Sequence, residues 1–316
     1  MSINGSIIGA TKIVEDYIDA FRHVGLNIDS IAASKNSINA KKLSEKYDLT
    51  YYSSSNNLIK NFNGKFIVIA SKPETLMSLL SNSLKLNTKI LIEKPVTHYS
   101  ELLIPYKNIK NVQVGFNRRF YSNVDYFKKR VEKNKFYVGE VSIPEIIDPA
   151  KFSRRSHKKI ILNNSIHLID LAHYFFGDLY LKDVEYIFSK KNKISSFTFK
   201  LYNSKCNILF KSIANQTKNT QFELFEGDRT FNFLPLENLQ VLKDFEMKNF
   251  AGTTKYIPKV THTIDEYKDT YKPGFVKQAM KFKELILDKN PNIPNLNDAF
   301  NSIKLIEEID EQLKLK

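Results

Sequence analysis

The sequence predicts a doubly wound α/β domain with a parallel sheet, followed by an α+β domain with a mainly antiparallel sheet. Three observations carry that reading. Between residues 5 and 115, short apolar runs alternate with stretches of helical spacing, as β–α–β units require. After residue 138, apolar runs follow one another with turn residues between them and few helices, the habit of antiparallel strands. Ile90-Leu-Ile-Glu-Lys-Pro95 sets a bare apolar run against an abrupt charged stop. Such a run reads as a strand buried on both faces, and ligands of open α/β sheets bind beyond the carboxyl ends of such strands. The expected domains are 1–118 and 119–316.

The first strand, ending at Ile7 and Ile8, turns at Gly9 into a helix with Val14, Tyr17, Ile18 and Phe21 at helical spacing. A dinucleotide fold carries Gly-x-Gly-x-x-Gly here, so that phosphate can sit on the helix N-terminus. Only Gly9 is present; Thr11 and Val14 stand at the second and third glycines. Ile28 to Ser34 reads as the second strand, about twenty residues on, as the β–α–β unit needs. Its end is Ser34-Lys35-Asn36 rather than a carboxylate. An uncharged residue followed by a cation suits a 2′-phosphate, which leans the cofactor towards NADP over NAD, although an ordinary strand-to-helix turn has the same composition. Ala40 to Tyr47 reads as a short helix and Tyr51-Tyr52 as a weak strand.

Lys65 to Ala70 is the clearest strand, and Pro73 is a natural first-turn residue for the helix Leu76 to Leu84. Lys89 to Ile92 follows and stops at Glu93-Lys94-Pro95, where Pro95 restricts Lys94 to extended geometry and sets its ammonium at a pocket rim. A solvated charged pair leaving a strand has the same local sequence. Ser100 to Tyr106 reads as helical, Val112 to Gly115 as a strand, and Phe116-Asn-Arg-Arg-Phe-Tyr121 ends the domain.

In the second domain, Val124 to Val131 reads as a helix and Val138 to Ile147 as a strand. Asn163 to Phe176 is helical, with Asn163 or Asn164 as its cap and Gly177 as its stop. Strands are expected over 183–188, 195–201, 207–212, 221–225 and 230–233, with Asn203-Ser-Lys and Glu226-Gly-Asp as hairpin-like connections. Leu234 to Thr270 reads as irregular, and Phe275 to Leu287 and Asn297 to Leu313 as amphipathic helices. His167 and Asp170, three apart, lie on neighbouring faces of one turn. An imidazole near a helix start is the acid–base group that alcohol–carbonyl chemistry needs, and a satisfied core histidine is its plain alternative. His173 reads as structural.

Composition narrows the classes. At 316 residues with 42% hydrophobic and 12% aromatic content, the chain can bury two cores. No window approaches the ~18–20 apolar residues of a membrane helix, and Met1 to Gly9 lacks the features of a signal peptide, so a cytoplasmic protein without membrane contact is expected. A single cysteine, Cys206, leaves no internal disulfide, and no Cys/His cluster has metal-ligand spacing. The net charge of +14 raises nucleic acid, but only seven of the 48 basic residues are arginine and the lysines are scattered. That argues against specific base reading, and a basic surface equally favours an anionic nucleotide.

Taken in order, Ile8-Gly-Ala, Ile69-Ala-Ser-Lys-Pro73, Ile92-Glu-Lys-Pro95, Val114-Gly-Phe-Asn-Arg-Arg-Phe120, His167-Leu-Ile-Asp-Leu171 and Phe176-Gly177 resemble the Gfo/Idh/MocA family of sugar oxidoreductases. Tyr271-Lys-Pro-Gly-Phe275 and the closing helices resemble members of surface-sugar biosynthesis. The resemblance implies a Rossmann domain, then an α+β domain whose open sheet makes homodimers or homotetramers. It also implies an NAD(P) cofactor and a sugar or nucleotide-sugar substrate. By the same resemblance Lys94 contacts the substrate hydroxyl and nicotinamide, and His167 takes or gives the hydroxyl proton. Gly9, Thr11, Ile13, Ser34, Lys35, Ser71 and Glu93 match cofactor-contact positions. Asn117 and Arg118 lie towards the substrate, with Asn163, which stands where many members carry a carboxylate. Met77 stands where members often carry a histidine. These departures, with Thr11 and Val14, admit a second reading: a non-catalytic relative that senses or scaffolds a sugar nucleotide.

Overall fold

A computed structural model describes residues 3–132, 134–145, 157–188, 194–268 and 270–314. Among these residues the strands form two sheets, of six and eight strands, and the chain divides into two compact units. The first comprises residues 1–120 and 269–303, the second 121–268 and 304–316.

The six-stranded sheet is parallel, in the order β3-β2-β1-β4-β5-β6. Its strands are β1 (Ile3–Ile8), β2 (Leu26–Ala32), β3 (Thr50–Tyr52), β4 (Phe66–Ile69), β5 (Lys89–Ile92) and β6 (Val112–Val114). Every residue of β4 is buried, as are Ile90, Leu91 and Ile92, which is why these strands read as bare apolar runs. Helix α1 (Ile13–His23) turns Val14, Tyr17, Ile18 and Phe21 into the core, the face the spacing predicts. Glu15 and Asp16 in its first turn and Arg22 and His23 in its last oppose its dipole favourably. Ser37 caps α2 (Ile38–Tyr47), accepting from the Ala40 amide at 3.2 Å. Ser54 caps α3 (Ser55–Lys60), a helix not anticipated from the sequence. Pro73 opens α4 (Pro73–Leu84), as expected. Residues Ser100–Tyr106 form a 3₁₀-helix.

The second unit carries the eight-stranded sheet, ordered β14-β13-β12-β11-β7-β10-β9-β8. β7 (Tyr137–Glu145) pairs in parallel with β10 (Cys206–Ala214), and the other neighbours are antiparallel. The remaining strands are β8 (Tyr180–Phe188), β9 (Ile194–Tyr202), β11 (Gln221–Glu226) and β12 (Arg229–Phe233). Ile146 and Ile147, the expected end of β7, lie outside the described residues. Phe127 of α5 (Ser122–Lys128) meets Tyr137, Phe175 and Phe231 with ring centroids 4.7–5.9 Å apart. That aromatic knot fastens α5 and α7 (Ile166–Phe176) to the sheet.

Three sequence expectations change. Leu234 to Thr270 is not irregular: β13 (Asn238–Phe250) and β14 (Thr253–Asp265) form a long hairpin. A register shift between Leu242 and Phe245 breaks the apolar alternation, and Pro258 sits inside β14, so period two was masked. Its tip is Ala251-Gly252, both with positive φ, the geometry of a two-residue hairpin turn. Neither Asn163 nor Asn164 caps α7; the backbone runs in helically from α6 (His157–Ile160) through a π-turn at Ile161–Ser165. Finally, α8 (Phe275–Ile286) belongs with the first unit, although the sequence boundary at 118 assigns it to the second. Phe275, Ala279, Phe282 and Leu285 join the core of α1 and β1, with Tyr17–Phe275 and Phe21–Phe282 centroids 4.9 and 5.7 Å apart. The closing helix is α9 (Leu296–Lys314).

Candidate functional site

The strand order of the parallel sheet reverses between β1 and β4, and the crevice at such a switch point is where this architecture binds ligands. Gly9 sits at the end of β1 with φ +115°, and a Cβ there would lie 2.1 Å from the Ala70 carbonyl oxygen. Only glycine fits, because the backbone after β4 passes at close contact there. The Gly9 amide donates to the Ala32 carbonyl at 2.8 Å, and the Ala70 amide to Ile8 at 2.8 Å, which draws three strand ends together.

Above them opens a cavity of about 470 Å³, within the range of small-molecule sites. Gly9, Thr11, Ser34 and Ser71 line it. So do Ser37, the Ser53-Ser54-Ser55 run, Lys72 and Thr75; no lining residue is acidic. Thr11, in place of a fingerprint glycine, turns its hydroxyl back to donate to the Ala70 carbonyl at 3.0 Å. Val14, in place of another, is fully buried in the core. Hydroxyl donors, one lysine and the Gly9–Thr11 turn that leads into α1 together fit a dinucleotide phosphate.

At the end of β5, the Lys94–Pro95 peptide is cis. The Glu93 carboxylate points inward. One oxygen, Oε1, accepts the Tyr17 hydroxyl of α1, and the other, Oε2, accepts the Lys94 amide at 3.2 Å. Burial pushes the Glu93 carboxyl above the usual carboxylate range, while the Lys94 charge, the Tyr17 hydroxyl, the Lys94 amide and the Lys272 charge pull it back. Burial and the Glu93 charge hold the Tyr17 phenol well above its ordinary value, so it stays a donor. Lys272 pairs with Asp16 at 2.9 Å. Asn117 donates to the Pro273 carbonyl at 3.2 Å and thereby ties down the 271–275 turn. Arg118 is partly buried, and Arg119 pairs with Asp298 at 3.2 Å.

In the second unit, His167 stands at the second position of α7 and is 7% exposed; Asp170, one turn on, is buried. Just before it the backbone takes the π-turn, a local widening that recurs at functional sites. Asn163 lies on this turn and is exposed. Beneath it, Ser165 donates to Glu145 Oε1 at 2.5 Å, and Glu145 is buried at the end of β7. Among the described residues, no group of three or more His, Cys, Asp or Glu could hold a metal ion, and no helix is long and apolar enough to cross a membrane.

The cavity therefore gathers Gly9, Thr11, Ser34 and Ser71 of the residues singled out from the sequence. Ile13 and Lys35 do not line it, and Glu93 is turned to Tyr17 and the Lys94 amide. Sequence reasoning missed Ser37, Ser53 to Ser55, Lys72 and Thr75 in the lining, Tyr17 beside Glu93, and Glu145 beneath α7. The serines carried a usable signal, since Ser37 and Ser54 are N-caps. Tyr17 and Glu145 carried none, because each meets its partner across a long stretch of chain.

No curated protein sequence matches the chain. Among solved structures, a dehydrogenase from Clostridium difficile superposes with a TM-score of 0.77 at 17% identity, covering 99% of this chain and 100% of that one. A myo-inositol dehydrogenase from Corynebacterium glutamicum gives 0.77 at 18%, with coverage of 100% and 97%. UDP-N-acetylglucosamine 3-dehydrogenase from Acidithiobacillus ferrooxidans gives 0.77 at 13%, with coverage of 96% and 95%. At these identities the likeness is one of fold. The sequence itself matches, over residues 3–113, the model of the Gfo/Idh/MocA oxidoreductase family, NAD-binding Rossmann fold. Residues 3–113, which hold the 3-2-1-4-5-6 sheet and the Gly9 turn, are thus the part of the chain that matches the NAD-binding Rossmann domain of the Gfo/Idh/MocA oxidoreductases.

Proposed function

We propose that the protein is an NAD(P)-dependent oxidoreductase that moves hydride between the nicotinamide and a hydroxyl or carbonyl carbon of a sugar or nucleotide sugar. The observation that carries this reading is the acid-free, hydroxyl-lined cavity built over the Gly9 cradle. The residues that would hold the cofactor are Gly9, Thr11, Ser34 and Ser71. When bound, the cofactor supplies the redox chemistry as hydride transfer at its nicotinamide ring. Lys94 then binds the reacting oxygen and offsets charge that builds on it, while His167 takes the hydroxyl proton in oxidation and returns it in reduction. Asn117 and Arg118 supply the surroundings of the substrate.

Ser34-Lys35, together with Lys72 and the lack of any carboxylate in the lining, supports NADP over NAD. A place in surface-polysaccharide sugar biosynthesis is supported by the Tyr271-Lys-Pro-Gly-Phe275 resemblance and by the nucleotide-sugar dehydrogenase among the fold neighbours. A homodimer or homotetramer built on the open sheet is the assembly we propose.

A fluorescence titration with NADPH and, separately, NADH tests the reading. Micromolar binding is the expected result, with NADPH the tighter. Absence of binding of either up to millimolar concentration would favour the sensor or scaffold reading, which Asn163 at an expected carboxylate position also motivates. The two readings differ again over the altered fingerprint. If Thr11 and Val14 disabled cofactor binding, restoring glycine at both positions would rescue it. The Thr11 hydroxyl is tied to Ala70 and Val14 is core, so we expect otherwise. Thr11→Gly is expected to change NADPH affinity by less than about threefold, which is under ~0.7 kcal/mol. Val14→Gly is expected to cost about 2–4 kcal/mol in urea unfolding, from a lost buried side chain and a helix glycine.

A further inference from the structure

Tyr17 reads in the sequence as one more residue of the apolar face of α1, and its ring does pack there, against Phe275. Its hydroxyl has a different partner. It donates to Glu93 Oε1, seventy-six residues away, and the other oxygen of the same carboxylate accepts the backbone amide of Lys94. We infer that Tyr17 is a positioning residue: through the Glu93 carboxylate it clamps the backbone of Lys94, and so sets the point from which that ammonium reaches the substrate. The inference rests on the reading of Lys94 given above.

Two features support this bracket. The Tyr17 hydroxyl sits on a ring that is buried in the core, and a phenol taken out of water needs a partner, which the partly buried Glu93 carboxylate supplies. Also, the neighbouring strand makes room for it. A Cβ at Gly115, just beyond β6, would lie 2.9 Å from Glu93 Oε1 and 3.1 Å from the Tyr17 hydroxyl. The Gly115 amide meanwhile donates to the Ile92 carbonyl at 2.7 Å, which holds that backbone close against the end of β5. Helix α1 and the residue after β6 thus both reach one carboxylate that also accepts the Lys94 amide. The charged groups that bear on the pair are Lys94 itself, Lys272 before α8, and Asp16 of α1.

Tyr17→Phe keeps the ring and removes only the donor. Because that donor helps pull the Glu93 carboxyl down, its loss moves the carboxyl titration to higher pH. The experiment follows the glutamate carboxyl carbons of labelled protein by NMR across pH, in wild type and in Tyr17→Phe, with Glu93→Gln identifying the signal. Turnover and KM for NADPH are measured alongside. The expected result is an upward shift of the Glu93 titration in Tyr17→Phe, a ten- to hundredfold fall in kcat, and a KM for NADPH within about twofold of wild type, since the hydroxyl does not line the cofactor cavity. Gly115→Ala, which crowds the same oxygen, should lower kcat in the same direction. In Glu93→Gln, adding Tyr17→Phe should cost little more, because the two act as a unit. An unmoved Glu93 titration, or wild-type kcat in Tyr17→Phe, overturns the bracket. A wild type that turns over no sugar defeats the enzyme reading alone, and the carboxyl titration still decides whether Tyr17 holds Glu93.

Discussion

Lys94→Ala and His167→Ala are each expected to abolish turnover while leaving NADPH binding largely intact. A positioned acid–base group contributes about 10²–10⁴-fold, so each variant should lose at least roughly 10²-fold in kcat. Affinity should survive, because neither residue lines the cavity over Gly9. The two variants also separate the roles. Lys94 leaves the end of β5 beside a carboxylate that holds its own amide, so its loss removes a charge set on a rigid strand end. His167 is buried at the start of α7, and in the proposed role its loss removes the proton carrier. Full activity in His167→Ala would dismiss the proton assignment, and the buried imidazole would then be a core residue. Steady-state kinetics paired with the fluorescence titration reads both quantities.

Gly9→Ala should be the most damaging single change to the cofactor domain. Its φ of +115° is one that side chains rarely adopt, and the added methyl would sit 2.1 Å from the Ala70 oxygen. The backbone there cannot step aside cheaply. It is held by the Gly9–Ala32 and Ala70–Ile8 hydrogen bonds, each 2.8 Å, which join β1 to the ends of β2 and β4. Strain of this kind together with a backbone clash costs about 3–5 kcal/mol, a large part of the stability of a domain this size. Urea unfolding should show a lowered midpoint, and NADPH binding should fall even where the variant remains folded. An unchanged midpoint would mean that β1 and β4 can part at their ends, and that the cradle is looser than its hydrogen bonds suggest.

Much of the first unit was legible along the chain because its signals are local. A strand buried on both faces must be apolar throughout, so β4 and β5 could be read directly. A helix with one buried side must repeat at three and four, so Val14, Tyr17, Ile18 and Phe21 could be read as one face. Glu93-Lys94-Pro95 stood out because charge interrupted such a run where a parallel sheet opens to ligand. Elsewhere local order misled. The β13–β14 hairpin hid behind a register shift and an internal proline, both of which break period two without ending the pairing. The asparagines before α7 looked like caps, yet the helical backbone runs on beneath them as a π-turn. Serines around the cavity were visible only as caps, since nothing local tells that Ser37 and the Ser53–Ser55 run come to face Gly9.

The sequence by itself determined the two kinds of sheet and the β–α–β start with its single usable glycine, and it singled out Lys94 and His167 as the groups proposed to carry proton transfer. Each of these follows from hydrophobic period, turn chemistry and side-chain type, which act over a few residues. The tertiary structure alone decided that α8 joins the core of α1, that Thr11 turns its hydroxyl to Ala70, and that the Glu93 carboxylate closes on Tyr17 and the Lys94 amide. Periodicity states which face of an element avoids water, but not which distant surface will cover it. A buried hydroxyl or carboxylate must find its partner wherever the packed chain brings one within reach.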